Sequence, residues 1–358
     1  MRPRCRRRFA ASLGLALAFG VPQLPAQTPR QPARGEISAE FVHATVDSLA
    51  SVVRDEYVDA EVATRVEGSL RKWLAEGRYA DVRTPEDLSR SLTRDLVALT
   101  SDKHLAVVVD RESPSAIAGE TVSAEPRLTA ARRSNFGVQR VEILPGNVGY
   151  INIRSFYRPD EAREAISAAM QVLSNADALI VDLRGDGGGS PDTVALFASY
   201  LFETPGLKLF EIASRSGDVR PYRTETSPLP NRNERRSVYV LTDARTFSAG
   251  EGLAYILQER RRAEIVGEAT AGAANPGRPY RLNSDLQVTI PTGKVRSAVR
   301  GANWEGTGVM PDVAAPSNDA LRVAHVRALR QLIEQASRGP WRDLLEGQLA
   351  LLDRETLR

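Results

Sequence analysis

One cysteine and three histidines in 358 residues narrow the chemistry before any motif is read. Cys5 lies in the basic start of the chain, so the residues beyond it hold no thiol. That excludes a disulfide, a cysteine nucleophile and cysteine-ligated zinc from the body of the protein. Long apolar runs are also lacking. The most apolar stretch, within "FAASLGLALAFGVPQLPAQ", is short for a membrane span. It follows five arginines and leads to a small-residue exit near Ala26, so residues 1–26 read as a signal peptide, with an uncleaved anchor as the alternative. A periplasmic or secreted protein without stable membrane insertion after leader cleavage is expected. A strong charge is missing as well. Without those five arginines the formal charge falls from +3 to −2, which removes the argument for nucleic-acid binding.

What is present has the composition of a globular α/β protein, 42% hydrophobic and 26% charged. Residues 27–36 read as a linker. Ile37, Phe41, Val42, Val46, Leu49 and Val53 recur at helical spacing behind Ser38, a cap. A second such pattern, through Val62, Val66 and Leu70, stops at Gly77. A third opens with Thr84, Pro85 and two acids. Residues 37–103 are therefore expected to form a small helical domain. From Leu105 the pattern turns to strands alternating with helices, the signature of an α/β core over residues 104–316. Residues 114–135 read as a loop or linker, and "EILPGNVGYI" as a hairpin with Gly146 and Asn147 at its turn. Residues 317–358 read as C-terminal helices.

Chemistry is suggested first by "TDARTFSAGEG", residues 242–252, where an apolar strand pattern meets a helical one. Ser248 at that junction serves either as a helix cap or as a nucleophile. Ala249 and Gly250 let another chain approach, and the first-turn N–H groups face where an oxyanion would develop. Residues 182–190, "DLRGDGGGS", place three glycines after a buried strand. Their spacing is neither the dinucleotide nor the P-loop pattern, and no lysine follows. A flexible turn is the plain reading. The functional one makes Gly187, Gly188 or Gly189 one half of an oxyanion hole, with the Ala249 N–H as the other. Of the histidines, His43 and His325 lie in amphipathic helices. His104, in "SDKHLAVVVD", sits where the helices give way to the first strand and is the best available base. Glu305, in a glycine-bounded turn, and Asp312 compete to orient it.

"DLRGDGGG", "TFSAGE", "GEATAGAANPG" and "EGTGVMPD", in this order, resemble the tail-specific (C-terminal-processing) serine protease family. Within it the chain is most similar to the branch holding interphotoreceptor retinoid-binding protein modules and the tricorn protease core. The resemblance implies a crotonase/ClpP-like ββα-superhelix core behind an N-terminal helical bundle. It implies a serine-type endopeptidase acting on polypeptides through an acyl-enzyme, on unfolded or C-terminal segments, with neither metal nor organic cofactor. It also matches His104 and Glu305 to the histidine and glutamate that support the serine. Two departures stand out. Many members use a lysine after the "GEATAG" segment, where this sequence has Ala273; Lys294 lies in another segment. The roughly twenty-five residues between Asp110 and Phe136 are too few for the family's peptide-binding PDZ module.

Two other readings compete. The retinoid-binding relatives suggest a non-catalytic site for an apolar ligand on the same scaffold. The crotonase-like fold suggests enolate stabilisation on coenzyme A thioesters, which the leader disfavours.

Overall fold

The computed structural model describes residues 36–110, 125–226 and 236–355; the expected leader and linker, residues 1–35, lie outside them. Three helices open the described chain: α1 (Ala39–Glu56), α2 (Ala60–Ala75) and α3 (Pro85–Thr100). Each begins as the sequence dictates. The side chains of Ser38, Asp59 and Thr84 accept hydrogen bonds from Phe41, Val62 and Asp87 N–H, relieving first-turn donors that have no partner inside the helix. Val46, Leu49 and Val53 of α1, Val66 and Leu70 of α2, and Leu88, Leu92 and Leu96 of α3 close on one core. That core is shared with a three-stranded antiparallel sheet of β1 (Ala106–Val109), β10 (Leu286–Pro291) and β9 (Gly277–Arg281), in the order β1-β10-β9.

The central sheet has six strands: β2 (Val138–Leu144), β3 (Val148–Ile153), β4 (Ala178–Asp182), β7 (Ser237–Thr242), β8 (Glu264–Gly267) and β12 (Val313–Ala314). Their spatial order is β12-β8-β7-β4-β3-β2, parallel except for the β2–β3 hairpin. Every residue of β4 is buried, because helices cover both faces. Leu179 and Val181 face one core, packed on α5 (Pro159–Val172), α6 (Pro191–Ala198) and α7 (Ala249–Glu259). Ala178 and Ile180 face the other, packed on α8 (Ala320–Gln335) and on Leu345 of α9 (Pro340–Glu355). The alternation is the period of two that a strand imposes. Buried His325 donates its Nε2–H to Pro145 O at 2.8 Å in this second layer, a packing role.

Two features differ from the sequence expectations. Residues 125–133, within the stretch read as a linker, form helix α4 (Glu125–Arg133). An acid and a proline at its start and two arginines at its end outweigh the turn-rich residues before it. The other lies in a second antiparallel sheet, which the chain reaches by turning at Thr292. After β10 the chain enters β11 (Gly293–Ser297) of that sheet, ordered β11-β5-β6. The partners there, β5 (Lys208–Ser214) and β6 (Val219–Arg223), come from a stretch in which no strand was expected.

The C-terminal ends of adjacent strands β4 and β7 open side by side, the place where parallel sheets put their sites. The opposite end is closed by the β2–β3 turn, where Gly146 (φ 80°) and Asn147 (φ 56°) hold the left-handed conformation that such a turn needs. A Cβ on Gly146 would lie 2.3 Å from Leu329 Cδ2 of α8. Gly146→Ala is therefore expected to lower unfolding free energy by about 1–3 kcal/mol, read as a lower urea midpoint with unchanged slope. An unchanged midpoint would contradict the packing described for this turn.

Candidate active site

Ser248 follows β7 and stands at the N-cap position of α7 with φ 51° and ψ −111°, a strained conformation for a residue with a Cβ. Its Oγ lies 3.0 Å from His104 Nε2. The strain is held from the other direction. Glu251, in the first turn of α7, accepts the Ser248 N–H at 2.8 Å. Its carboxylate is fully buried and also accepts the Thr270 hydroxyl (2.6 Å), Gly272 N–H (2.6 Å) and Ala273 N–H (3.0 Å). Burial raises its proton affinity, and these four donors oppose that rise.

The glycine loop comes down on the serine from β4. A Cβ on Gly188 (φ 89°) would lie 2.7 Å from Ser248 Cβ, so only glycine permits this approach. Gly187 N–H donates to Arg154 O at 3.0 Å and Gly188 N–H to Asp186 Oδ1 at 2.7 Å. Of the three candidate glycines, these two thus have their N–H groups engaged. The Gly189 and Ala249 N–H groups have no hydrogen-bond partner among the described residues. Asp186, fully buried, braces the loop; it also fills the space over Gly250, where a Cβ would come within 2.5 Å of its Oδ1. Burial pushes its carboxyl well above the usual range.

His104 arrives from a different part of the chain. α3 ends at Ser101 in the left-handed conformation (φ 61°), and the chain then turns into β1. The imidazole packs against Phe247, ring centroids 4.8 Å apart. Burial lowers its pKa to about 4, so it is neutral at pH 7 and able to accept a proton. Behind it stand two carboxylates. Glu305 Oε2 accepts Ala274 N–H (2.7 Å) and Asn275 N–H (3.0 Å). Its Oε1 and His104 Nδ1 are both buried and make no hydrogen bond. Burial, and then the charge of Asp102, push the Glu305 carboxyl up to about 7. One donor atom from each of Asp102, His104 and Glu305 lies within 4.8 Å of the other two, a spacing that suits a shared proton or a cation.

Asp102 was missed by sequence reasoning, although it stands two residues before His104 in "SDKH". Its Oδ1 accepts the His104 N–H at 3.0 Å, and Oδ2 accepts the Tyr57 hydroxyl at 3.2 Å. Glu251 was missed too; the spacing of "SAGE" carries half of a capping box, which was its available signal. Asp312, the competitor to Glu305, is not at the site. It accepts Gln258 Nε2 and Ile265 N–H and ties β8 to the turn before β12. Ala273, in place of the lysine of many tail-specific proteases, is buried and gives its N–H to Glu251. Lys294 is exposed on β11.

Beside Ser248 a small apolar cavity of about 40 Å³ is lined by Val194, Phe210, Ile212, Val295 and Trp304, with Gly189 and Ala249 at its mouth. Trp304 is fixed there by a 3.0 Å hydrogen bond from its indole N–H to Ala273 O.

Comparison with known proteins agrees with this geometry. The description "Peptidase family S41" matches residues 147–315, and "N-terminal domain of Peptidase_S41 in eukaryotic IRBP" matches residues 38–135. Carboxy-terminal processing protease CtpB of Bacillus subtilis is 26% identical over 178 residues, which are 48% of this chain and 35% of that one. The chloroplastic carboxyl-terminal-processing peptidase 2 of Arabidopsis thaliana is 27% identical over 54% of this chain and 39% of its own length. The chain thus spans little more than a third of the length of these relatives. The tricorn protease structure aligns over 88% of this chain and 37% of its own, with 15% identity and a TM-score of 0.49. Two matching descriptions in tandem, with the serine, glycine-loop and glutamate motifs inside the one over residues 147–315, make the chain similar to peptidase family S41.

Proposed function

We propose that the chain is a serine endopeptidase that cuts polypeptides through an acyl-enzyme, with Ser248 as nucleophile, His104 as base and Glu305 orienting the imidazole. The observation that carries this reading is the 3.0 Å contact between Ser248 Oγ and His104 Nε2, two side chains 144 residues apart in sequence. As Oγ bonds to the scissile carbonyl carbon, its proton passes to Nε2 and the carbonyl electrons move onto oxygen. The Gly189 and Ala249 N–H groups are free to accept that oxyanion as their hydrogen-bond partner. Each such donor typically contributes about 3 kcal/mol at the transition state. When the C–N bond breaks, Nε2 returns the proton to the leaving amine, and water then releases the acyl group by the same steps. Glu305 Oε1, buried and without a hydrogen-bond partner among the described residues, in a cluster whose donor atoms lie within 4.8 Å of one another, is the acceptor assigned to the imidazolium proton. The strained Ser248 backbone, pinned by Glu251, keeps Oγ presented before substrate arrives.

The names of the carboxy-terminal processing relatives support polypeptide as the substrate class. The cavity supports a small aliphatic side chain on the acyl side of the cut bond, since about 40 Å³ leaves no room for an aromatic ring. We further propose that residues 1–26 direct the chain out of the cytoplasm, that 37–103 act as a helical domain, and that 104–316 form the catalytic core. No helix among the described residues is long and apolar enough to cross a membrane.

A fluorophosphonate probe is expected to label Ser248; Ser248→Ala should abolish labelling and His104→Ala should slow it at least about 1,000-fold, with an unchanged far-ultraviolet spectrum. A wild type that ignores the probe and cuts no peptide would overturn the proposal. Peptide libraries should give a kcat/KM for alanine or valine before the cut at least about tenfold above that for phenylalanine. The pH profile carries a sign. Glu305 must be ionised to hold the imidazolium, and its carboxyl titrates at about 7, so kcat/KM should rise with pH through that value.

A further inference from the structure

We propose that Asp102 is a positioning residue for this reaction: a second buried carboxylate which, tied to Tyr57 of the helical segment, sets the protonation of Glu305. The inference rests on the hydrolase reading above. Its geometry is specific. Asp102 is fully buried, and both of its oxygens are occupied. Oδ1 receives the His104 N–H at 3.0 Å, fixing the backbone that carries the base. Oδ2 receives the Tyr57 hydroxyl at 3.2 Å, with Asn275 Nδ2 at 3.5 Å. His104 Nδ1 lies 3.9 Å from Oδ1, beyond hydrogen-bond distance. Glu305 is arranged the other way, with Oε2 held by two backbone N–H groups and Oε1 free. The two acids therefore differ in role. Glu305 is the one able to meet the imidazolium, and Asp102 acts on it by charge.

The groups facing Glu305 are few. Asp102 and His104 come from the turn before β1, Tyr57 from the end of α1, and Glu251 from α7. Lys103, the cation nearest in sequence, directs its ammonium to Ala271 O. Two carboxylates enclosed this way, with no cation between them, do not both ionise freely, so a proton is retained on the less well-solvated partner. Burial raises the proton affinity of both carboxyls; the His104 N–H, the Asn275 amide and the Tyr57 phenol oppose that rise at Asp102, whereas the charge of Asp102 adds to it at Glu305, which is pushed up to about 7. The helical segment thereby takes part in the chemistry. Tyr57 is the C-cap of α1, and its carbonyl and that of Arg54 are held by Arg215 from the β5–β6 turn.

The test reads the rate of Ser248 labelling by a fluorophosphonate against pH in the full-length chain. Asp102→Asn keeps an oxygen for the His104 N–H and removes the charge. It should move the acid limb down by at least about one pH unit, while the plateau rate falls less than about tenfold. Glu305→Gln should remove that limb altogether. Asp102→Ser, which also offers an acceptor, serves if D102N does not fold. A limb left in place in the folded Asp102 variant, or one surviving E305Q, would overturn the proposal. An unlabelled wild type would instead count against the hydrolase reading, so the two failures are separable.

Discussion

The buried carboxylate of Glu251 is the constraint on which the arrangement depends. Four donors converge on it from two places in the chain: the N–H of Ser248, and the hydroxyl of Thr270 with the N–H groups of Gly272 and Ala273. A carboxylate can be fully buried only when its lone pairs are met in this way. Meeting them forces Ser248 into a backbone conformation it would not choose, and folds residues 270–273 against the start of α7. The same loop then continues to Ala274 and Asn275, whose N–H groups hold Glu305. One loop thus connects the support of the nucleophile to the support of the base. Ala273 fits this arrangement because its contribution is through its backbone, not its side chain.

The glycine loop adds the complementary constraint. Gly188 lies where any side chain would strike Ser248, and its N–H is drawn back onto Asp186. The Gly189 N–H, like that of Ala249, is left without a partner among the described residues. The apolar wall of the cavity comes mainly from β5, β11 and α6, with Trp304 anchored by the same loop that holds Glu305. Ser248, these two N–H groups and the cavity are therefore set by close approaches of backbone, each at a glycine or a small residue. The sequence signs of those approaches were "GDGGG" and "SAGEG".

Much of the fold could be read from the sequence because local chemistry and packing agree there. Ser38, Thr84 and Pro85 begin helices as their residue types prescribe, and the alternation in β4 reports two covered faces. Ser248, His104 and Glu305, which the fold brings together, could be singled out because they stand at element junctions. What escaped has a physical reason in each case. β5 and β6 carry Lys208, Glu211, Arg220 and Arg223 on a half-exposed sheet, so their alternation is blurred. α4 is short and polar, and its helical end signals lie within a turn-rich stretch. Choosing between Glu305 and Asp312 required knowing which turn folds back over His104, a long-range fact. Asp102, Asp186 and Glu251 are acids whose burial is decided by partners far along the chain, and no local pattern distinguishes them from solvated acids. Which glycine N–H is free depended likewise on Arg154 O, thirty-three residues upstream of Gly187.

The docking of Arg215 onto the end of α1 has a consequence for how such a site assembles. The hairpin carrying Arg215 also supplies Phe210 and Ile212 to the cavity, while the helix it caps supplies the phenol that steadies Asp102. The cavity wall and the Asp102 carboxylate thus share a single mechanical joint. Anything that pries the helices from the hairpin would loosen both together, so neither is complete until the hairpin and the helices have met.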